Sequence, residues 1–273
     1  MTKQQKIWEG TRTVLGSMIP LVWYVMTTGF CMAVGMYLRR MASSSQKFLQ
    51  QSGNFYTFIG ILLFWRILYK KCRKKKVSLW EEATIDFSKP DIRLSAVCLL
   101  LGMSAALFVS SFLTMIPLPS GIMNAYQADS GKIFTGNDRV LVILMLVVLS
   151  PLTEEVLFRG MMLNRLLKFY SDRNAVLISA GIFALCHVNP VWMLYSFFSG
   201  VLLAQIALKK DNILYSVFMH MGFNFPAVIA ASVGANRGLK GSAAGIVLIV
   251  LYGVIGLASF KLLSDRLWKE ERL

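Results

Sequence analysis

Acid is scarce in this chain. Its 273 residues hold 14 Asp and Glu against 29 Lys and Arg, and only two histidines. The resulting net charge of +15 would suit a nucleic-acid partner. No RNA- or DNA-binding motif occurs, however, and the cations sit in short loops between apolar runs, where they set membrane topology. A nucleic-acid partner is therefore not expected. The four cysteines, Cys31, Cys72, Cys98 and Cys186, form no C-x-x-C pair, so neither a disulfide framework nor a thiolate metal site is indicated. Three of them fall in apolar runs and are expected to be buried and inert, with Cys72 in a basic loop as the exception. No internal repeat or low-complexity tract appears. The basic segment Met1–Arg12 leads into an apolar run of about 25 residues, too long for a signal-peptide core and without a small-residue cleavage site. It reads as a retained first span.

What the chain has in abundance is apolar surface, at 56% of residues. A bilayer span takes roughly 20 apolar residues. Eight runs can be drawn: Val14–Leu38, Phe55–Tyr69, Leu94–Leu118, Val140–Leu167, Ala175–Val188, Val191–Leu208, Ile213–Ala235 and Ala243–Leu263. The expected fold is all-α, a polytopic transmembrane helix bundle of about eight spans forming a single integral membrane domain over 1–273. A six-span arrangement with two re-entrant segments is the alternative. With the N-terminus inside, the inner segments carry 20 Lys and Arg and the outer ones seven, with Arg66 and Arg159 inside spans. This asymmetry puts both termini on the cytoplasmic side. The loop 70–93 carries most of the signal, through Lys70, Lys71, Arg73, Lys74, Lys75 and Lys76. It is first a topology determinant, and its second reading is an anionic-lipid contact. Trp80, Glu81 and Glu82 within it suit a short interfacial helix. Ser196, Gly200 and Ala204, four residues apart, suit close helix packing.

Ionisable groups at membrane depth are costly and mark function by default. Twelve of the 14 acidic residues lie in loops or tails; Glu154 and Glu155 do not. Both histidines, His187 and His220, lie in spans or at their edges, and Asn224 follows His220 by one turn. Glu155 and Arg159 are spaced to share a helix face and to pair. Glu154 is rotated about 100° from Glu155, so it is the freer carboxylate and the better general base. Its alternative role is as a second partner of Arg159. Pro151 lacks an N–H and can open the helix just before the pair. His220 and Asn224 face one way, while His187 comes from another helix with Phe183 one turn before it. A lone histidine in an apolar helix is ordinarily structural, and Phe183 is as easily plain packing. Five such groups in three spans of one half are harder to read that way.

The set Glu154-Glu155-x-x-x-Arg159, Phe183-x-x-x-His187 and His220-x-x-x-Asn224 resembles the three ordered motifs of the CAAX-protease and bacteriocin-processing (CPBP, or Abi) family. That family includes the type II CAAX prenyl endopeptidases. The resemblance covers roughly 140–228, which would be the catalytic core; the first three spans carry no motif. It implies a site sealed in the bilayer and opened toward the cytoplasmic side. Glu154 and His187 would activate water, and His220 and Asn224 would stabilise an oxyanion, with Glu155, Arg159 and Phe183 in support.

The expected activity is hydrolysis of a peptide bond in a peptide or membrane-protein substrate, at a bacterial plasma membrane. No cofactor is favoured. The metal variant would place zinc on Glu154, His187 and His220, although the sequence has no H-E-x-x-H. The rival from another class is a non-catalytic membrane scaffold, for instance one conferring bacteriocin immunity. A transporter is a third reading, but the polar groups cluster in one half and show no symmetric broken helices.

Overall fold

The computed structural model describes residues 2–42, 53–88, 90–113, 115–132, 139–233 and 243–268. Lys47, Arg237, Lys240, Lys269 and Arg272, all counted in the charge asymmetry, lie outside the described residues. Every described element is helical: α1 (Lys3–Ser17), α2 (Ile19–Met41), α3 (Gly53–Lys74), α4 (Leu79–Glu82), α5 (Ile92–Leu113), α6 (Ser120–Lys132), α7 (Arg139–Ile143), α8 (Ser150–Glu155), α9 (Asn164–Leu166), α10 (Asp172–Leu185), α11 (Pro190–Lys210), α12 (Leu214–Val233) and α13 (Ala243–Trp268). Two π-helical stretches, Leu144–Leu149 and Val156–Leu163, join α7, α8 and α9 into one continuous helix, called the motif helix below.

Local chemistry sets the boundaries. Thr2 and Gln5 form a capping box at the start of α1. Asn189 caps α11, with Pro190 behind it. Basic residues close α2, α3 and α11, where the helix dipole favours cations. The polar N-terminus, expected as a tail, is a helix. The first apolar run is therefore divided: Met18 separates α1 from α2, and α2 is its long apolar helix.

Apart from the divided first run, each of the apolar runs contains one long helical segment. Among the described residues five helices are long and apolar enough to cross a membrane: Gln4–Met41, Ile92–Leu113, Val140–Leu166, Pro190–Lys210 and Ile246–Arg266. The chain is an integral membrane protein. α10 has 14 residues and rises only about 21 Å, short of a hydrocarbon core of roughly 30 Å. The basic residues at the end of α3 dilute its apolar character.

The core wraps the motif helix. Val156, Leu157, Phe158, Met162, Leu163 and Leu166 pack with Phe64 and Leu68 of α3 and with Phe183 of α10. A second cluster joins Leu94, Cys98 and Leu101 of α5 to Met219 and Phe223 of α12 and to Leu203 and Ile206 of α11. Around this core the apolar residues face outward, such as Met26 and Phe30 on α2 and Val250 and Leu257 on α13. Water would not tolerate a continuous apolar belt of this kind; lipid does.

α5 and α12 cross at a pair of glycines. A methyl at Gly102 would overlap the Met219 carbonyl oxygen, and one at Gly222 would overlap that of Leu99. Small residues let helix backbones approach closely where hydrophobic driving force between helices is absent. The crossing contacts Met219, Gly222 and Phe223, which flank His220 on α12, so it fixes the height of that histidine.

Two of the four cysteines, Cys31 and Cys98, are buried as expected, and the other two differ from the expectation. Cys31, Cys72 and Cys98 are buried and Cys186 is exposed. Cys72 belongs to the core-facing side of α3 beneath the basic cluster. Cys186 ends α10, where the helix has run past its packing partners.

Candidate active site

The motif helix owes its irregularity to position. A π turn shifts the hydrogen-bond register and leaves carbonyls without their usual partners. Here side chains take them up. Asn224 Nδ2 donates to the Leu146 oxygen at 2.8 Å, Ser179 Oγ to the Phe158 oxygen at 3.1 Å, and Asn164 Nδ2 to the Gly160 oxygen at 2.6 Å. Pro151 stands at the start of the short α-helical segment between the two π stretches. Glu154 and Glu155 sit on that segment.

The two carboxylates have different surroundings. Glu155 is wholly buried and accepts from Arg159 Nη1 at 2.8 Å. The same Oε1 meets His220 Nδ1 at 2.8 Å. Because that oxygen already accepts from a guanidinium, Nδ1 is the donor, and Nε2 is turned the other way. It faces Glu154, whose Oε2 lies 3.7 Å off, beyond direct hydrogen-bond range. Glu154 keeps 22% of its side chain exposed. Arg159 spends its Nη2 on the Gly200 carbonyl at 3.1 Å, so it pairs with Glu155 and not with Glu154. Gly200, one of the small residues set down to helix packing alone, thus also supplies an acceptor to the ion pair. Glu155 Oε2 and Arg159 Nε are buried with no protein partner.

Phe183 assembles the aromatic side of the cluster. Its ring meets His187 edge-on at 4.8 Å and His220 at 5.7 Å. The Arg159 guanidinium lies 4.5 Å from its centroid. His187 Nδ1 is 2.9 Å from the Phe183 carbonyl oxygen. A carbonyl only accepts, so Nδ1 carries the proton and Nε2 is left for the site. The next residue, Val188, has φ 56°. A β-branched side chain rarely tolerates that conformation, and such strain collects at functional sites. Val188 lies just past the turn at Cys186 and His187 that follows α10.

The structure therefore brings Glu154, Glu155, Arg159, Phe183, His187 and His220 together. It sets Asn224 one turn beyond His220, bonded to the motif helix. Four further contributors carried no signal in sequence. Trp65 of α3 donates its indole N–H to Thr153 Oγ1 at 2.9 Å, and Thr153, wholly buried beside Glu154, donates on to the Leu149 oxygen at 2.6 Å. Tyr24 of α2 and Tyr195 of α11 lie within electrostatic reach of the Glu154 carboxylate. A lone tryptophan or tyrosine in an apolar helix looks like packing until its partner is known.

Among the described residues no group of three or more His, Cys, Asp or Glu side chains is arranged to hold a metal ion. Of the residues that the metal variant would use, His220 is engaged by Glu155 through Nδ1 at 2.8 Å, with its Nε2 3.7 Å from Glu154 Oε2.

An acid–histidine cluster enclosed by apolar helices defines a class, the helical membrane proteins with a buried polar centre. Comparison with known families narrows it. Residues 136–226, a third of the chain, match the family model described as type II CAAX prenyl endopeptidase Rce1-like. No curated protein and no solved structure matches the chain.

Proposed function

We propose that this chain is an endopeptidase of the glutamate type that hydrolyses a peptide bond at membrane depth. Glu154 takes a proton from water, assisted by His187 through Nε2. The hydroxide adds to the scissile carbonyl. His220 Nε2 and the second N–H of Asn224 donate to the oxyanion, the stabilisation that commonly dominates acyl transfer. The proton held on Glu154 then passes to the departing amine as the C–N bond breaks. For this role His220 must carry both ring protons, one on Glu155 and one toward the substrate. Glu155 and Arg159 orient it.

The observation that carries the reading is the division between adjacent carboxylates. Glu155 is fully buried and paired, whereas Glu154 is partly open and faces the distal nitrogen of the same histidine. Two titratable groups in opposed environments are the usual mark of separate acid–base roles. A structural polar clamp would have no use for a second, partly open carboxylate.

Two finer features complete the proposal. All eight apolar helices cross or enter the bilayer, with both termini on the cytoplasmic side, and the basic end of α3 meets anionic headgroups there. Lys70, Arg73, Lys74 and Lys76 are exposed at that end, and Lys71 is seated on the Trp23 ring at 3.3 Å.

The test is Glu154→Gln, which keeps shape and removes the base. Membrane-peptide profiles of cells expressing wild type and variant are compared, with thermal unfolding of both purified proteins as a folding check. Specific cleavage products are expected to disappear, and cleavage is expected to persist in chelator. If a stably folded Glu154→Gln protein retains the cellular function, the scaffold reading replaces the enzyme.

A further inference from the structure

α1 is built inside out. At about 100° per residue, Ile7, Trp8, Thr11 and Leu15 fall within one sector of roughly a quarter-turn. Yet Ile7, Trp8 and Leu15 are 62%, 66% and 62% exposed, while Gly10 and Ser17 are buried. The small face packs on the end of the motif helix. A methyl at Gly10 would come within 2.6 Å of the Tyr170 hydroxyl, and Arg165 Nη1 donates to the Gly16 carbonyl at 2.6 Å. Among the described residues the apolar face has no protein partner. α1 runs directly into α2 at Met18, within the candidate span Gln4–Met41, so that face is set toward lipid at the end of the span. This is how an amphipathic helix rests among headgroups, with tryptophan at the boundary.

Between α1 and the end of the motif helix lies an open cavity of about 620 Å³. One wall is polar: Lys6, Ser171 and Asn174. The other is apolar and aromatic: Ile7, Phe169 and Tyr170. Lys6 has no acidic partner among the described residues, and the Ser171 side chain makes no capping bond. Ile7 belongs at once to the cavity and to the outward stripe, so the cavity opens onto the surface that faces lipid.

We propose that this cavity binds one anionic phospholipid of the leaflet on the basic side of the protein. The phosphate rests against Lys6, Ser171 and Asn174, and the acyl chains leave over Ile7 and Phe169 along α1. The proposal rests on the membrane assignment and not on peptidase activity. It gives the N-terminal helix a partner and ties that partner to the helix bearing Glu154.

The experiment is native mass spectrometry of the full chain in detergent, titrated with phosphatidylglycerol, with phosphatidylcholine, and with inorganic phosphate as competitor. One retained phosphatidylglycerol per chain is expected. A lysine near an anionic lipid surface contributes about a factor of five, so Lys6→Gln should weaken retention about fivefold and Ser171→Ala should weaken it less. Lys261→Gln, exposed on α13 and outside both basic regions, should leave it unchanged. Equal retention by Lys6→Gln, an equal loss in Lys261→Gln, or equal retention of phosphatidylcholine overturns the site. Competition by inorganic phosphate overturns the lipid in favour of a free anion. Separately, an environment-sensitive fluorophore on Thr11→Cys in vesicles should be quenched by lipid-phase quenchers; quenching only from water would remove α1 from the interface.

Discussion

A single methyl at the α5–α12 crossing should disable the site without touching it. In Gly102→Ala the new carbon would overlap the Met219 carbonyl oxygen and sit 2.9 Å from the Phe223 nitrogen. Both obstacles are backbone, so no rotamer change relieves them. Restoring ordinary contact of 3.5–4.0 Å requires the helices to part by on the order of 1 Å. His220 lies between the two obstructing residues on α12 and moves with them. A misplacement of that size costs roughly 100-fold in rate. Overpacking destabilises by about 1–3 kcal/mol, partly offset by the better helix propensity of alanine, about 1 kcal/mol. The protein should therefore remain folded while cleavage falls. The assay pairs product formation in membranes with thermal unfolding of purified protein. Gly181→Ala is the control: a methyl there meets nothing within 4 Å, so it should be neutral or slightly stabilising and fully active. Wild-type cleavage by Gly102→Ala would refute the claim that this crossing sets the height of the histidine.

Three other outcomes follow from specific contacts. Glu155→Gln leaves Arg159 buried without its counter-charge, which should destabilise by about 3–5 kcal/mol; unfolding at wild-type temperature would show that the pair is dispensable. Trp65→Phe removes the donor to Thr153 and should cost about 1 kcal/mol, with kcat lowered and KM unchanged, since Trp65 acts through Thr153 on the placement of Glu154. Asp91, ahead of α5, is held below the usual carboxylate range, first by the backbone N–H of Leu94 and then by the Arg266 guanidinium, against the opposing effect of burial. Its folded-state value lies below its unfolded one, so its stabilisation is complete above about pH 4 and is lost as pH falls through the folded value. Asp91→Asn should flatten that part of the stability profile, and an unchanged acid limb would exclude the contribution.

What could be read from the sequence was whatever is local. Apolar runs gave helices, because helix formation needs only the residues within each run. The Glu155–Arg159 pair was legible because a four-residue spacing brings side chains together whatever the fold. Cysteine exposure was not legible, since hydropathy averages over a helix and does not say which face turns inward. The bond from His220 to Glu155 spans 65 residues and depends on how two helices cross. The sequence reading gave Glu155 a single partner for that reason, and Trp65 none. The apolar stripe of α1 was visible in composition, but its outward direction needed the packed face to be known.

These long-range contacts bear on what the motif segment can do alone. The segment that matches the Rce1-like family begins at residue 136, yet several of its placements lean on something earlier. Thr153 is held by Trp65. Gly160 presses against the backbone of Ala83, which a methyl would meet at 2.7 Å, and Thr84 closes that loop through Asn164 at 2.6 Å and the Ile213 N–H at 3.0 Å. His220 takes its height from Gly102. The first half of the chain thus wedges two helices, the motif helix through Trp65 and Ala83 and α12 through Gly102, and the segment from 136 onward taken alone would lose both supports.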